Sequence, residues 1–168
     1  MYPWLLYQIA RFLFKTGIAG WHPNIHRYVM GLFQRSADQE FEPAQLFFGQ
    51  LLKYKGVSSL NRVAGITYLR RSALHGSMQA QFMLAEALRD QSLVSSIVID
   101  ATNGAQSEPV SESPLSLYTA AAEAGHKMAA LRLCQIYREG LLGVEPDAGL
   151  AKQYFDQFSR DGQLPHDG

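Results

Sequence analysis

A step of thirty-six residues recurs through this chain and narrows the folds open to it. Ala44, Phe48 and Gly49 return as Ala80, Leu84 and Ala85, and Phe33 and Ala37 return as Leu69 and Ala73, each thirty-six positions on. Ala129, Leu133 and Cys134 repeat the first pattern, and Tyr154 follows Tyr118 at the same step. A period of this length predicts stacked helical hairpins, because one hairpin is too small to bury its apolar face alone. Between Ala73 and Ala122 the step widens to forty-nine, so the regular spacing is interrupted by an insertion.

Helical spacing of Leu5, Ile9, Phe12 and Leu13 behind Pro3 predicts an opening helix. Gly17 and Gly20 punctuate it, and Trp21-His22-Pro23-Asn24 turns the chain into a second helix running to about Gln39, with Tyr28, Leu32, Phe33 and Ala37 on one face. Glu42-Pro43 opens a third helix ending near Gly56. Asn61 is the expected N-cap of a fourth, which closes at His75-Gly76, and a fifth starts near Ser77. Residues 91–113 are rich in Ser and turn formers and predict an inserted loop on one face. Leu93 to Ile99, with its β-branched run, alternatively extends the fifth helix or docks as a strand. Pro114 restarts helix six, which ends at Ala124-Gly125; helix seven ends at Gly140, and helix eight runs from about Asp147 to Ser159. Residues 1–40 form a degenerate repeat or a capping hairpin, residues 41–162 the regular repeats, and residues 163–168 a flexible tail.

These signatures resemble the Sel1-like repeat, an α/α-hairpin relative of the tetratricopeptide repeat. The last copy carries the pattern most fully, in Ala129, Leu133-Cys134, Tyr137, Gly140, Gly143-Val144, Asp147, Ala151 and Gly162. The middle copies keep Ala44, Phe48-Gly49, Gly56-Val57, Ala64, Ser72-Ala73 and Gly76, then Ala80, Leu84-Ala85, Ala121-Ala122 and Gly125. The resemblance covers residues 41 to 162 and is weak before them. It implies an all-α fold, a right-handed α/α superhelix (solenoid) of about four helix-turn-helix repeats. It also implies a non-catalytic adaptor or scaffold role in protein–protein interaction, of the kind common in bacteria.

Physical chemistry accounts for the repeated residues. Gly49, Ala85 and Cys134 share one small position, where a larger side chain would separate helices whose axes pack about 8–10 Å apart. Cys134 is accordingly read as a small buried hydrophobe rather than a reactive thiol. In stacks of this kind the first helix of each hairpin lines the concave surface. One to five residues beyond the small position that helix presents Gln50, Lys53 and Tyr54, then Glu86, Arg89 and Asp90, then Gln135, Arg138 and Glu139. These form the candidate partner-binding face, a mixed-charge groove whose cations hold carboxylates or a peptide backbone. The usual composition of exposed helix surfaces makes an ordinary solvated face the commoner origin of such residues.

Other classes find less support. His22 and His26 are four apart, but Pro23 places His22 ahead of the helix, and no third ligand has a matching spacing, so no metal is expected. Nucleophile elbows, phosphate-binding loops and paired metal motifs are missing, so neither an enzyme nor a cofactor is expected. Fifteen basic residues balance fifteen acidic ones, which removes any global field towards nucleic acid. Charged residues are only 18% of the chain, so some apolar or uncharged surface is expected to face a partner. Cys134 is the single cysteine, so no intrachain disulfide forms, and the opening segment reads neither as a signal peptide nor as a span. A cytoplasmic protein is the expectation. Tyr2, Trp4, Leu5, Leu6, Tyr7, Phe12, Leu13 and Phe14 exceed what one buried face needs. The first helix is therefore a hydrophobic cap, a second protein contact or, as the weaker alternative, the anchor of a peripheral membrane adaptor, with Arg11 and Lys15 at headgroup level. Self-association through exposed terminal repeats is a further reading.

Overall fold

Prolines at the first position start three of the helices, where the missing N–H costs nothing. In the computed structural model, which describes residues 2–55, 59–90 and 113–160, Pro3, Pro23 and Pro114 open helices of this kind. All regular structure among the described residues is helical. Helices α1 (Pro3–Lys15), α2 (Pro23–Asp38), α3 (Glu42–Lys55) and α4 (Ser59–Leu74) build one unit, Met1–His75. Helices α5 (Met78–Arg89), α6 (Pro114–Glu123), α7 (Lys127–Glu139) and α8 (Ala148–Arg160) lie in a second, Gly76–Gly168. The all-α expectation holds, and most helix bounds fall within two residues of the sequence reading. Asn61 does not cap α4: the helix begins at Ser59, itself a residue type that favours helix starts. The expected Gly56-Val57 turn, residues 91–112 of the insertion with the alternatives for Leu93 to Ile99, and the tail lie outside the described residues.

In the first unit α1, α2 and α3 share an apolar core. Leu6, Tyr7 and Ala10 pack with Val29, Leu32, Phe33 and Ala37, and with Ala44 and Phe48. Aromatic rings fill the space between helices: Tyr7 meets Phe33, Phe41 and Phe47 edge-on, at centroid separations of 5.5 to 6.3 Å. Polar ties then fix the register of the helices. The Ser36 hydroxyl donates to the Pro3 carbonyl at 2.7 Å, and the buried Gln45 amide donates to the Ala37 carbonyl at 3.2 Å. Tyr68 and Ser72 of α4 donate to the carboxylates of Asp38 and Glu42, each at 2.7 Å.

The small repeat position has the predicted consequence. A Cβ added at Gly49 would lie 2.9 Å from the Gly65 carbonyl oxygen, and one at Gly65 would lie 2.7 Å from the Lys53 amide nitrogen. The backbones of α3 and α4 thus touch at this crossing. Gly65 has no counterpart in the later repeat, because the equivalent position there is Pro114, where α6 begins.

In the second unit the equivalent small residues, Ala85 and Cys134, are buried. Leu84, Leu88, Leu117, Tyr118, Ala121, Ala122, Leu133 and Ile136 of the same unit are buried as well. Tyr137 and Tyr154 stack almost parallel at 5.8 Å, joining α7 to α8. The Asp147 carboxylate accepts from the Gly149 and Leu150 amides at 2.8 and 2.9 Å and so caps α8. Gly125 closes α6 with φ of +91°, a left-handed conformation that a side chain would strain.

Two glycine substitutions in helix interiors should have opposite signs. Gly31→Ala in α2 meets nothing within 4 Å and gains helix propensity of about 1 kcal/mol. Gly65→Ala gains the same propensity but drives a methyl into backbone that cannot rotate away, and overpacking of this kind costs about 1–3 kcal/mol. Thermal denaturation followed by circular dichroism should show the melting temperature rise for Gly31→Ala and fall for Gly65→Ala.

Candidate functional site

The face one turn beyond the small position is where the sequence located binding residues, and in the second unit α5 and α7 bring part of that set together. Glu86 is the centre. Its Oε1 accepts from the Tyr118 hydroxyl at 2.9 Å and from Arg132 Nε at 2.8 Å, while its Oε2 accepts from Arg89 Nη2 at 3.1 Å. Arg132 also donates to the Gln135 side-chain oxygen at 3.2 Å. A carboxylate with three donors is well solvated by protein. Burial pushes the Glu86 carboxyl up, but the Tyr118 hydroxyl, the Arg132 guanidinium and the more distant charge of Arg89 outweigh it and hold the group below its ordinary range. Burial and the Glu86 carboxylate together push the Tyr118 phenol well above its ordinary value.

Of the nine residues expected on the partner face, Glu86, Arg89 and Gln135 therefore join one internal network. Arg138 and Glu139 are exposed near the end of α7 and pair with each other at 3.0 Å. Asp90 is exposed at the C-cap of α5. Gln50, Lys53 and Tyr54 stand on α3 of the first unit, where the Lys53 ammonium lies 4.8 Å from the centroid of the Tyr54 ring.

Arg132 ties the network together and was not among the expected residues. It occupies the repeat position held by Phe47 and Met83, which are apolar. A charged side chain at an otherwise apolar repeat position was the available signal. Its consequence is visible beside it. Met128, Leu131, Arg132, Gln135 and Arg138 follow helical spacing along one face of α7 and, with Cys134 of the same helix and Phe155 of α8, line a groove of about 380 Å³. Met128 and Phe155 are exposed there. The lining combines apolar side chains, an amide and two guanidinium groups, with no carboxylate among them.

Two of the histidines, His22 and His126, have structural roles. His22 is the N-cap of α2, its Nδ1 accepting from the Asn24 amide at 3.1 Å, so it precedes the helix as Pro23 implied. His126 caps α7 in the same way, and its Nε2 meets the Gln79 side-chain oxygen at 2.9 Å while its ring stacks on Phe82. Among the described residues no three His, Cys, Asp or Glu side chains gather as metal ligands would.

No protein-family model matches the sequence, and no curated protein matches it. Solved structures do resemble it. A Sel1 repeat protein from Oxalobacter formigenes superposes with a TM-score of 0.65 at 24% identity, over 95% of this chain and 58% of that one. A protective antigen of uropathogenic Escherichia coli that displays an SLR fold superposes with a TM-score of 0.68 at 20% identity, over 96% of this chain and 31% of that one. The chain thus spans less than two thirds of either protein, and the likeness shows that it has a Sel1-like repeat fold.

The Glu86 network gives a signed pH dependence. Its folded carboxyl is held low, so the interaction stabilises above the unfolded carboxylate range and is lost as pH falls through the folded value. Arg132→Met, which keeps the stem but removes the charge, should lower the melting temperature clearly at pH 7. At a pH acid enough to protonate Glu86 in both proteins the difference between wild type and variant should shrink.

Proposed function

On a chain with this Sel1-like repeat fold, we propose a non-catalytic adaptor that binds a peptide segment of another protein, with the groove along α7 as the contact. The observation that carries the reading is the lining of that groove. Met128, Leu131 and Phe155 offer apolar contact to a side chain, and Arg132 and Arg138 border it with positive charge. Such a surface suits an extended segment that carries an apolar or aromatic residue beside a carboxylate. Arg138 is the better placed of the two cations to engage a ligand. Its bond to Glu139 is an exposed pair, which typically contributes about 0–1 kcal/mol and is readily exchanged. Arg132 is more committed, since its partner Glu86 also serves Tyr118. The concave-face reading thus narrows, within the second unit, to Gln135 and Arg138 with Met128, Arg132 and Phe155 added. Glu86 and Arg89 act in it by positioning Arg132.

The test is affinity capture from native lysate with wild type beside Met128→Glu/Arg138→Glu. Both positions are exposed, so the fold and melting temperature should be retained. Capture of a defined protein by wild type, with at least tenfold less on the variant, is expected from reversing one guanidinium contact and losing one apolar contact at the centre of an interface. Equal capture by both would remove the α7 groove from the interaction.

A further inference from the structure

We propose that the α1 end of the first unit docks on an anionic lipid surface, with Leu5, Ile9 and Phe12 entering the headgroup region and Arg11 and Lys15 engaging lipid phosphates. Helix α1 already meets its folding requirement through Leu6, Tyr7 and Ala10, which are buried in the core. Its remaining surface is unusually apolar for one facing water. Tyr2, Trp4, Leu5, Ile9 and Phe12 are all exposed, Phe12 at 65%. The helical repeat sets Leu5, Ile9 and Phe12 on one flank and Trp4, Arg11 and Lys15 on the adjoining one. Both tryptophans of the chain belong to this unit, and both are exposed, Trp4 at 57% and Trp21 at 83%. A concentration of large apolar side chains on this scale marks an interaction surface rather than scattered exposure.

Charge decides the occupant. From Met1 to Ala37 the chain carries Arg11, Lys15, Arg27 and Arg35 and no Asp or Glu, although the whole chain is balanced. The first carboxylate, Asp38, accepts from Tyr68. A second copy of the same face would set cations against cations, which disfavours a symmetric dimer here. An anionic bilayer complements the cations, and tryptophan and tyrosine are suited to the headgroup layer because each joins an apolar ring to a polar group. No helix among the described residues is long and apolar enough to cross a membrane, so the contact is interfacial. Apolar insertion and basic attraction are each weak alone and together give stable binding, which is why both must be present.

The test is co-sedimentation of the full chain with vesicles of phosphatidylcholine alone and of phosphatidylcholine mixed equally with phosphatidylglycerol. Binding to the mixed vesicles, little binding to the neutral ones, and weakening with salt are expected. Phe12→Glu and the pair Arg11→Glu/Lys15→Glu, all at exposed positions, should keep the circular dichroism spectrum and reduce vesicle partitioning roughly tenfold each. Failure to sediment with anionic vesicles would overturn the proposal, as would equal binding to neutral vesicles or binding that survives both variants. A wild-type dimer that Phe12→Glu dissociates would overturn it in favour of a second copy. Capture of an acidic protein through this face without vesicle binding would overturn it in favour of a protein partner.

Discussion

The contact on which the helical pairing depends is the approach of two helix backbones at a position that admits no large side chain. At Gly49 and Gly65 that approach is close enough that a single added carbon would meet main-chain atoms. Because backbone cannot turn aside, the crossing of α3 and α4 is set by sterics rather than by attraction. Ala85 and Cys134 hold the same place on α5 and α7, and both are buried. Once these positions face a partner helix, the helical repeat obliges the residues around the next turn to face elsewhere. Gln50 and Lys53, Glu86 and Arg89, and Gln135 and Arg138 occupy that sector, though Glu86 turns to Tyr118 and Arg132 rather than to solvent.

What that sector does differs along the chain. On α5 and α7 its polar groups are partly consumed by one another, through the carboxylate of Glu86 and the guanidinium of Arg132. A charge satisfied in this way is expensive to recruit for a ligand, because the partner left behind loses its compensation. The end of α7 is less committed, with a single exposed pair, Arg138 and Glu139, and Arg138 lines the same groove as Met128 and Phe155. Ligand binding there disturbs less of the protein than binding at Glu86 would. In the proposed binding mode the network supports the groove, since Glu86 holds Arg132 and Arg132 donates to Gln135.

Among the described residues the helix count, most helix bounds and the small position were legible in the sequence because a repeat states the same physical requirement several times. Features that occur once were harder to see. Gly65 has no echo, since the chain at the equivalent place is starting a helix at Pro114 rather than running through one. Arg132 was legible only as an exception, a cation where Phe47 and Met83 are apolar. The pairing of Glu86 with Tyr118 and Arg132 joins residues more than thirty positions apart and depends on side-chain reach, which spacing does not encode. For α1 the excess of apolar residues was evident, but dividing it into a buried set with Leu6 and Tyr7 and an exposed set with Leu5 and Phe12 required the direction in which the helix faces its core.

A peptide-display selection tests the binding role of α7 most directly, since it works whatever the natural partner is. Random peptides would be selected on the wild-type protein and counter-selected on the Met128→Glu/Arg138→Glu protein. Enrichment of peptides that place an apolar or aromatic residue next to an acidic one or a free C-terminal carboxylate is the expected result. If every enriched peptide bound both proteins equally, or none were enriched on the wild type, the groove along α7 would not be a peptide-binding surface.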